Sequence, residues 1–526
     1  MGDLEFLILL LVVVALLVWV ARQVHIPYPI VLVFGGLGLG AIPGLPNLEL
    51  DPHVVFLVFI PPLVHSAGYT ASLRMLARDW RPISLAAVVL VALTIGAVAV
   101  VAHLLIDGMS WGAAFVLACV LAPTDLVAAT AIFRRLGAPE RVVNLVEGEN
   151  LVNDGTALTA WRLAVAAVVT GSLTAGDAVQ ELLLVAGAGT LLGLALGWVV
   201  AQLRRRLDDP LIEITVTLLT PYVAYVLAEE LGLSGILAAV VSGIFLGIRD
   251  PGITDATTRL QAWSFWGVLT FILESLLFVL VGLQFPQVLD AIDTSATTLL
   301  LEGTAIAVVV MAVRVFHHFT VLEVDALVAG GTPIPRKERL VVGWAGMRGA
   351  ISLAVALSIP LTTDAGEPFP FRDEIIFLTI VVIGVTLVVQ GLTLAPLIRR
   401  MNFVEEEPDA RRQAMARFRT IEAALDRIGQ LSFDADRRLD APTLERARSL
   451  YAQRANQLAG ECHDGVPDVD SDADTWLRLR LELLEIEGEQ LAAMRDAGTI
   501  TTPLMNAVQR DLDLESARLQ RRRQPA

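Results

Sequence analysis

Along most of its length the chain alternates between long apolar runs and short polar joints, and the runs are close to one length. Up to about Met401 they consist mainly of Leu, Val, Ala, Ile and Gly. Most approach the roughly 20 residues that cross a bilayer as a helix. The pattern predicts thirteen spans, at 4–20, 27–43, 53–69, 82–105, 112–132, 148–170, 178–203, 211–228, 233–248, 263–284, 297–320, 339–360 and 374–398. From Asn402 onward the chain becomes charged and acidic. The expected fold is an all-α polytopic membrane protein, with a transmembrane domain over 1–402 and a soluble helical tail over 403–526.

The charges of the joints test the span count. One set of joints holds Arg22; Arg74, Arg78 and Arg81; Arg134, Arg135 and Arg141; Arg204 to Arg206; Arg249 and Arg259; Arg336, Lys337 and Arg339; and Arg399 and Arg400. The alternate set holds Glu49 and Asp51, Asp107, Asp177, Glu229 and Glu230, Asp290 and Asp293, and Asp364 and Glu367, with Arg372 its only basic residue. One span added or dropped would scramble this alternation. The positive-inside rule then puts the chain in the cell membrane with its N-terminus outside and its tail in the cytoplasm. The acidic start, Met-Gly-Asp-Leu-Glu, reads as the edge of a retained span rather than a cleaved signal.

Composition narrows the classes further. A net charge of −16 argues against nucleic acid as a partner. The two cysteines, Cys119 and Cys462, form neither a disulfide framework nor a metal spacing. An odd number of spans permits two inverted repeats joined by one helix, a common plan in secondary transporters, with discontinuous helices near the midplane. Span 5, interrupted by Pro123, pairs in this scheme with span 12, where Gly343, Gly346 and Gly349 surround Arg348. Proline and glycine weaken helices, so both are places to unwind.

Two aspartates fall inside apolar stretches, and a carboxylate at that depth costs at least about 2.5–3.5 kcal/mol. Asp154 can ligate a dehydrated monovalent cation as a carboxylate or carry one proton as an acid, so the two loads compete for one group. Burial disfavours the ionised form of any carboxyl and brings such exchange toward neutral pH. Asp125 and Thr124 follow Pro123, where freed carbonyls and a hydroxyl supply the oxygens that a hard cation wants; the plainer role is capping a broken helix. A Na+ ion held at Asp154, Asp125 and Thr124 is the expected cargo. Glu149 and Arg348 are expected to form a structural ion pair. Asn153, one turn after Glu149, offers an amide that does not titrate. Arg314 in span 11 is expected to neutralise surplus carboxylates. His317 and His318 are expected to point apart, which argues against a metal site and leaves pH sensing open. Glu274 is a candidate for lining the ion route, Arg162 for snorkelling or pairing with an acid, and His65 for an interior hydrogen-bonded histidine.

These motifs resemble a known family. Gly-Glu-Asn-Leu-Val-Asn-Asp at 148–154 is similar to the Gly-Glu-Ser-Leu-x-Asn-Asp signature of sodium/proton exchangers in the monovalent cation:proton antiporter superfamily. Ala-Pro-Thr-Asp at 122–125 resembles that family's Thr-Asp-Pro segment, and 346–354 its Gly-x-Arg-Gly-x-x-Ser-Leu-Ala motif. Pro61-Pro62-Leu63 and the segment 278–284 also resemble family segments. The resemblance implies that Asp154 is the central ion- and proton-binding carboxylate with Asn153 as its partner amide. It places Asp125 and Thr124 at a crossing of unwound helices and Glu149 with Arg348 in a stabilising pair. It further implies a homodimer, an elevator-like core domain, no cofactor, and electroneutral exchange of one cation for one proton. Three departures bear on the transfer: Asn150 stands where the family has serine and so joins the candidate ligands, Leu126 replaces a proline, and Ser66 falls where many relatives carry glutamate.

The tail offers one amphipathic run at 472–495, with Trp476, Leu479, Leu483 and Ile486 near helical spacing. The acidic stretch 465–474 alternates Asp468, Asp470 and Asp472 but has Ala473 where a calcium loop needs glycine. Regulation or dimer contact is its expected role. Two rival classes fit less well. An intramembrane aspartyl protease would carry Gly-x-Gly-Asp, whereas Leu-Val-Asn precedes Asp154, and a channel would conduct without obligatory proton exchange. Potassium/proton exchange on the same scaffold, and a preference for lithium, stay open.

Overall fold

A computed structural model describes most of residues 3–403 and, beyond them, 421–426, 428–430, 442, 444–452, 455 and 514–515. Within the first stretch, 25, 43–50, 71–79, 126–128, 131, 134–135, 137, 172–174, 255, 291, 293–294, 330–333 and 402 lie outside the described residues. So do the expected features at Leu126, at 465–474 and 472–495, and at the joint charges Glu49, Arg74, Arg78, Arg134, Arg135 and Asp293. The chain divides into two compact units, Met1–Phe403 and Val404–Ala526. In the second, 421–426 and 444–452 are helical.

The first unit is helical almost throughout: α1 Asp3–Val24, α2 Tyr28–Gly40, α3 Pro52–Thr70, α4 Trp80–Leu105, α5 Trp111–Val120, α6 Glu140–Thr170 and α7 Ala175–Arg204. There follow α8 Pro210–Glu230, α9 Gly235–Ile253, α10 Ala256–Asp290, α11 Ala296–Ala329, α12 Arg336–Trp344, α13 Ala350–Leu357 and α14 Arg372–Met401. Among the described residues, seven stretches of helix are long and apolar enough to cross a membrane. Each expected span overlaps one of these helices, and the fifth continues past α5 and its break toward 126–128, which lie outside the described residues. The differences are at the ends. α6 begins eight residues before the expected 148 because 140–147, polar but free of Gly and Pro, continues the helix beyond its apolar part. α11 overruns its apolar run for the same reason, and α10 extends past both ends of its run, on the C-terminal side through Pro286. Pro61 and Pro62 lie inside a continuous α3.

Local chemistry starts and stops these helices. The Ser110 hydroxyl accepts from Ala113 N at 3.2 Å and caps α5. Asp209 caps α8 with Pro210 following at the first helical position. Gly171, at φ +68°, takes the left-handed conformation that ends α6.

The helices pack as two groups. One comprises α1, α2, α3, α7, α8, α9 and α10, in which α2 lies along α10 and α3 along α9. Those two contacts are both made through glycine. A Cβ at Gly282 of α10 would stand 2.1 Å from the Val33 carbonyl of α2, and one at Gly243 of α9 would stand 2.3 Å from the His65 carbonyl of α3. Without side chains there, the backbones approach closely, as small residues allow in membrane helices. The other group comprises α4, α5, α6, α11, α12, α13 and α14, with α4 against α11 and α5 against both α4 and α6.

Candidate functional site

The second group holds two breaks. α5 stops at Val120, and 121–125 are not helical; α12 stops at Trp344, and 345–349 are not helical before α13 begins. Pro123 cannot donate to a preceding turn, and Gly346 and Gly349 are poor helix formers, so each break falls where the backbone is weakest. The breaks touch: Asp125 N donates to Met347 O at 2.7 Å. The two glycines also make room. A Cβ on Gly349 would lie 2.2 Å from Asp125 Oδ2, and one on Gly346 would lie 2.1 Å from Arg314 Cδ. The Asp125 carboxylate thus sits over the N-terminal end of α13, where exposed backbone N–H groups favour negative charge.

Arg348, 1% exposed, serves the opposite ends. Its Nε donates to Leu121 O at 2.7 Å and its Nη1 to Gly346 O at 2.9 Å. Its backbone N donates to Thr386 Oγ1 of α14 at 3.2 Å. These carbonyls lie just past the ends of α5 and α12, where helices leave acceptors unsatisfied and carry partial negative charge. One guanidinium therefore serves the carbonyl ends of both broken helices.

The expected pair of Glu149 with Arg348 is not formed. Glu149, fully buried, faces Arg314 Nη2 at 2.6 Å and His318 Nε2 at 2.9 Å, both from α11. The reason is geometric: Arg348 is taken up by the carbonyls, while Arg314 reaches Glu149 through the space left by Gly346. The Arg314 contact is one of charge, without hydrogen-bond alignment. His317 and His318 do not diverge as expected, since their ring centroids are 5.2 Å apart and both residues are fully buried. Successive residues differ by about 100° around a helix, and the buried face of α11 is wide enough for both.

Beside this cluster α6 presents Asn150, Asn153 and Asp154 to the first break. Thr124 Oγ1 hydrogen-bonds to Asn150 Oδ1, and Asn153 Nδ2 donates to Thr124 Oγ1 at 3.2 Å. The Asp154 carboxylate meets the backbone N–H of Thr124. Three polar atoms have no hydrogen-bond partner: Asn150 Nδ2, Asn153 Oδ1 and Asp154 Oδ1. Two of them are oxygens, and buried acceptors left without donors are rare unless something else coordinates them. The geometry thus joins Thr124, Asn150, Asn153 and Asp154 directly, and Asp125 through the backbone.

The other candidates lie around this site. Glu274 of α10 accepts from Tyr28 Oη of α2 at 3.3 Å, a partner that nothing in the sequence pattern flagged. Arg162 pairs with Glu229 at 2.8 Å and hydrogen-bonds to Leu233 O, so it is paired with an acid. His65 Nδ1 lies 3.0 Å from Ala239 O and 3.1 Å from Ser242 Oγ, the interior hydrogen bonding expected of it. Ser66 is buried on α3.

The chain is similar to several known proteins. An uncharacterised Na(+)/H(+) exchanger of Mycobacterium tuberculosis is 35% identical over 507 residues, covering 93% of this chain and 91% of the relative. A Na(+)/H(+) antiporter of Aphanothece halophytica is 29% identical over 492 residues, 92% of this chain and 91% of the relative. A sodium, potassium, lithium and rubidium/H(+) antiporter of Bacillus subtilis is 33% identical over 388 residues, which are 70% of this chain and 57% of that protein. The fold is similar to a solved sodium proton antiporter of Methanocaldococcus jannaschii, with a TM-score of 0.60 and 18% identity over 76% of this chain and 98% of the other. Residues 8–400 match the family described as sodium/hydrogen exchanger, transmembrane, and with both breaks and the Asn153–Asp154 pair inside that match, the chain belongs to this family.

Proposed function

We propose that the chain exchanges sodium for protons one for one, with Asp154 as the group that carries either load. The observation behind this reading is the pair of partnerless buried oxygens, Asp154 Oδ1 and Asn153 Oδ1, beside Thr124 at the meeting of the helix breaks. A sodium ion takes oxygen ligands there; a proton on Asp154 replaces it. Thr124, Asn150 and Asp125 complete the polar surroundings, and the Asn153 amide adds no second titrating group, which favours an electroneutral cycle. Arg348 and the Glu149–Arg314 pair hold the broken helices around the site.

The finer architecture belongs to the same reading. Thirteen crossings in two inverted repeats exchange α2–α10 with α3–α9, and both contacts are glycine-lined. The group with the breaks is then the moving core, and the other group is the scaffold and the homodimer face. The N-terminus lies outside, and the tail is cytoplasmic. A second reading, potassium/proton exchange, is favoured by the name of the Bacillus subtilis relative and by Asn150, whose amide oxygen stands in place of a hydroxyl.

Proteoliposomes with a clamped membrane potential test both. A sodium pulse is expected to move protons in the native protein and not in folded Asp154→Asn. Repeating the pulse unclamped checks electroneutrality. A response to potassium in place of sodium would support the second reading, and silence with sodium, potassium and lithium would end the exchange proposal.

A further inference from the structure

His318 lies outside the ion site, yet its geometry constrains its proton count. Nε2 is 2.9 Å from Glu149 Oε2, and Nδ1 is 2.9 Å from Arg314 O, the carbonyl one turn back on α11. A backbone carbonyl only accepts. A carboxylate 2.6 Å from a guanidinium is ionised and also only accepts. A neutral imidazole has one N–H, so either tautomer would set a ring lone pair against an oxygen lone pair at 2.9 Å. Only the ring with a proton on each nitrogen satisfies both neighbours.

We infer that His318 is a positioning residue of the exchanger: a doubly protonated imidazolium that holds Glu149, and through it the α6 turn carrying Asn150, Asn153 and Asp154, against α11. The ionisable groups against it are Glu149 from α6 and Arg314 and the neighbouring His317 from α11, with Arg348 and Asp154 acting on Glu149's far side rather than on the ring. His317 offers no competing bond, because both its ring nitrogens lack partners. From α12, Gly343 lies against His318, where an added Cβ would stand 3.5 Å from the His318 Cβ. The charged residues of α4 and α14, which also pack on α11, stand at the ends of those helices. When His318 loses one proton, one of its two bonds becomes a repulsive contact and Glu149 loses a fixed partner. A ring with one proton therefore loosens the ion-binding turn independently of proton competition at Asp154.

The inference rests on the exchange reading for its consequence but not for its first test. Histidine-selective 15N spectra of the full chain in liposomes, with the His318 signals assigned by their loss in His318→Gln, are expected to show both ring nitrogens protonated at neutral pH. An unprotonated Nε2 or Nδ1 there would overturn the proposal whatever the protein transports. The second test is the pH profile of sodium-driven exchange. His318→Gln keeps an amide donor toward Glu149 that cannot titrate, so its profile is expected to differ in shape from the native one, with less loss on the alkaline side. His318→Leu, which has no donor, is expected to show low exchange at every pH. Native and His318→Gln profiles of the same shape would reduce the residue to packing and refute its role. If no sodium-driven exchange occurs in the native protein, the function falls while the spectra still decide the proton count.

Discussion

Replacing Arg314 by Met and replacing Arg348 by Met should cost similar amounts, and only the Arg314 change should be relieved by neutralising Glu149. Glu149 and Arg314 are 0% and 1% exposed at the side chain. Removing one member of a buried pair leaves the other charge uncompensated, at about 3–5 kcal/mol. Arg314→Met leaves Glu149 with His318 alone. Glu149→Gln leaves Arg314 with one long contact, Nε to Val342 O at 3.4 Å. The double variant removes both charges and should recover most of the loss, because paired apolar or neutral replacements are often close to neutral. Arg348→Met instead removes charge-assisted bonds to two carbonyls, each worth about 1.5–3 kcal/mol. Glu149 receives none of those bonds, so the two losses should add to within about 0.5 kcal/mol. Reversible unfolding in mixed micelles, carried through both double-mutant cycles, measures the couplings. A coupling of Glu149 to Arg348 as large as that to Arg314, about 2 kcal/mol or more, would refute the pairing described here.

Other consequences follow from single distances. Gly349→Ala places a Cβ 2.2 Å from Asp125 Oδ2. Overpacking of this kind costs about 1–3 kcal/mol, and sodium-driven exchange in proteoliposomes should fall much further than stability, since the displaced group is a candidate ligand. Gly282→Val forces α10 off α2 and should lower the midpoint of unfolding while leaving Asp154 chemistry intact in whatever protein folds; equal loss with Gly38→Val, which has open space around it, would contradict this. The Arg162–Glu229 ion pair joins α6 of the core group to α8 of the scaffold group. In a cysteine-free background, joining Arg162→Cys and Glu229→Cys with a reducible bifunctional thiol crosslinker long enough to bridge the two helices should arrest exchange reversibly. Full-rate exchange with the crosslink intact would rule out relative motion there.

What the sequence discloses and what it hides divide along a physical line. Apolar runs and the alternating joint charges report the solvent around each segment, and that environment marks where helices lie but not where they end. Pro123, Gly346 and Gly349 marked the breaks because local backbone preference acts through the chain itself. The partner of Glu149 was hidden because pairing by charge counts side chains and overlooks the backbone. Breaking two helices frees carbonyls with partial negative charge, and Arg348 answers to these before any carboxylate. Glu149 is then met by other cationic groups, which α11 supplies. Arg314 and His318, one turn apart, both do so, with His318 bonded to the Arg314 carbonyl as well as to the acid. A break in a membrane helix therefore reassigns the charges near it, and every buried ion pair within reach of such a break is better sought from the freed carbonyls outward than from the acids inward.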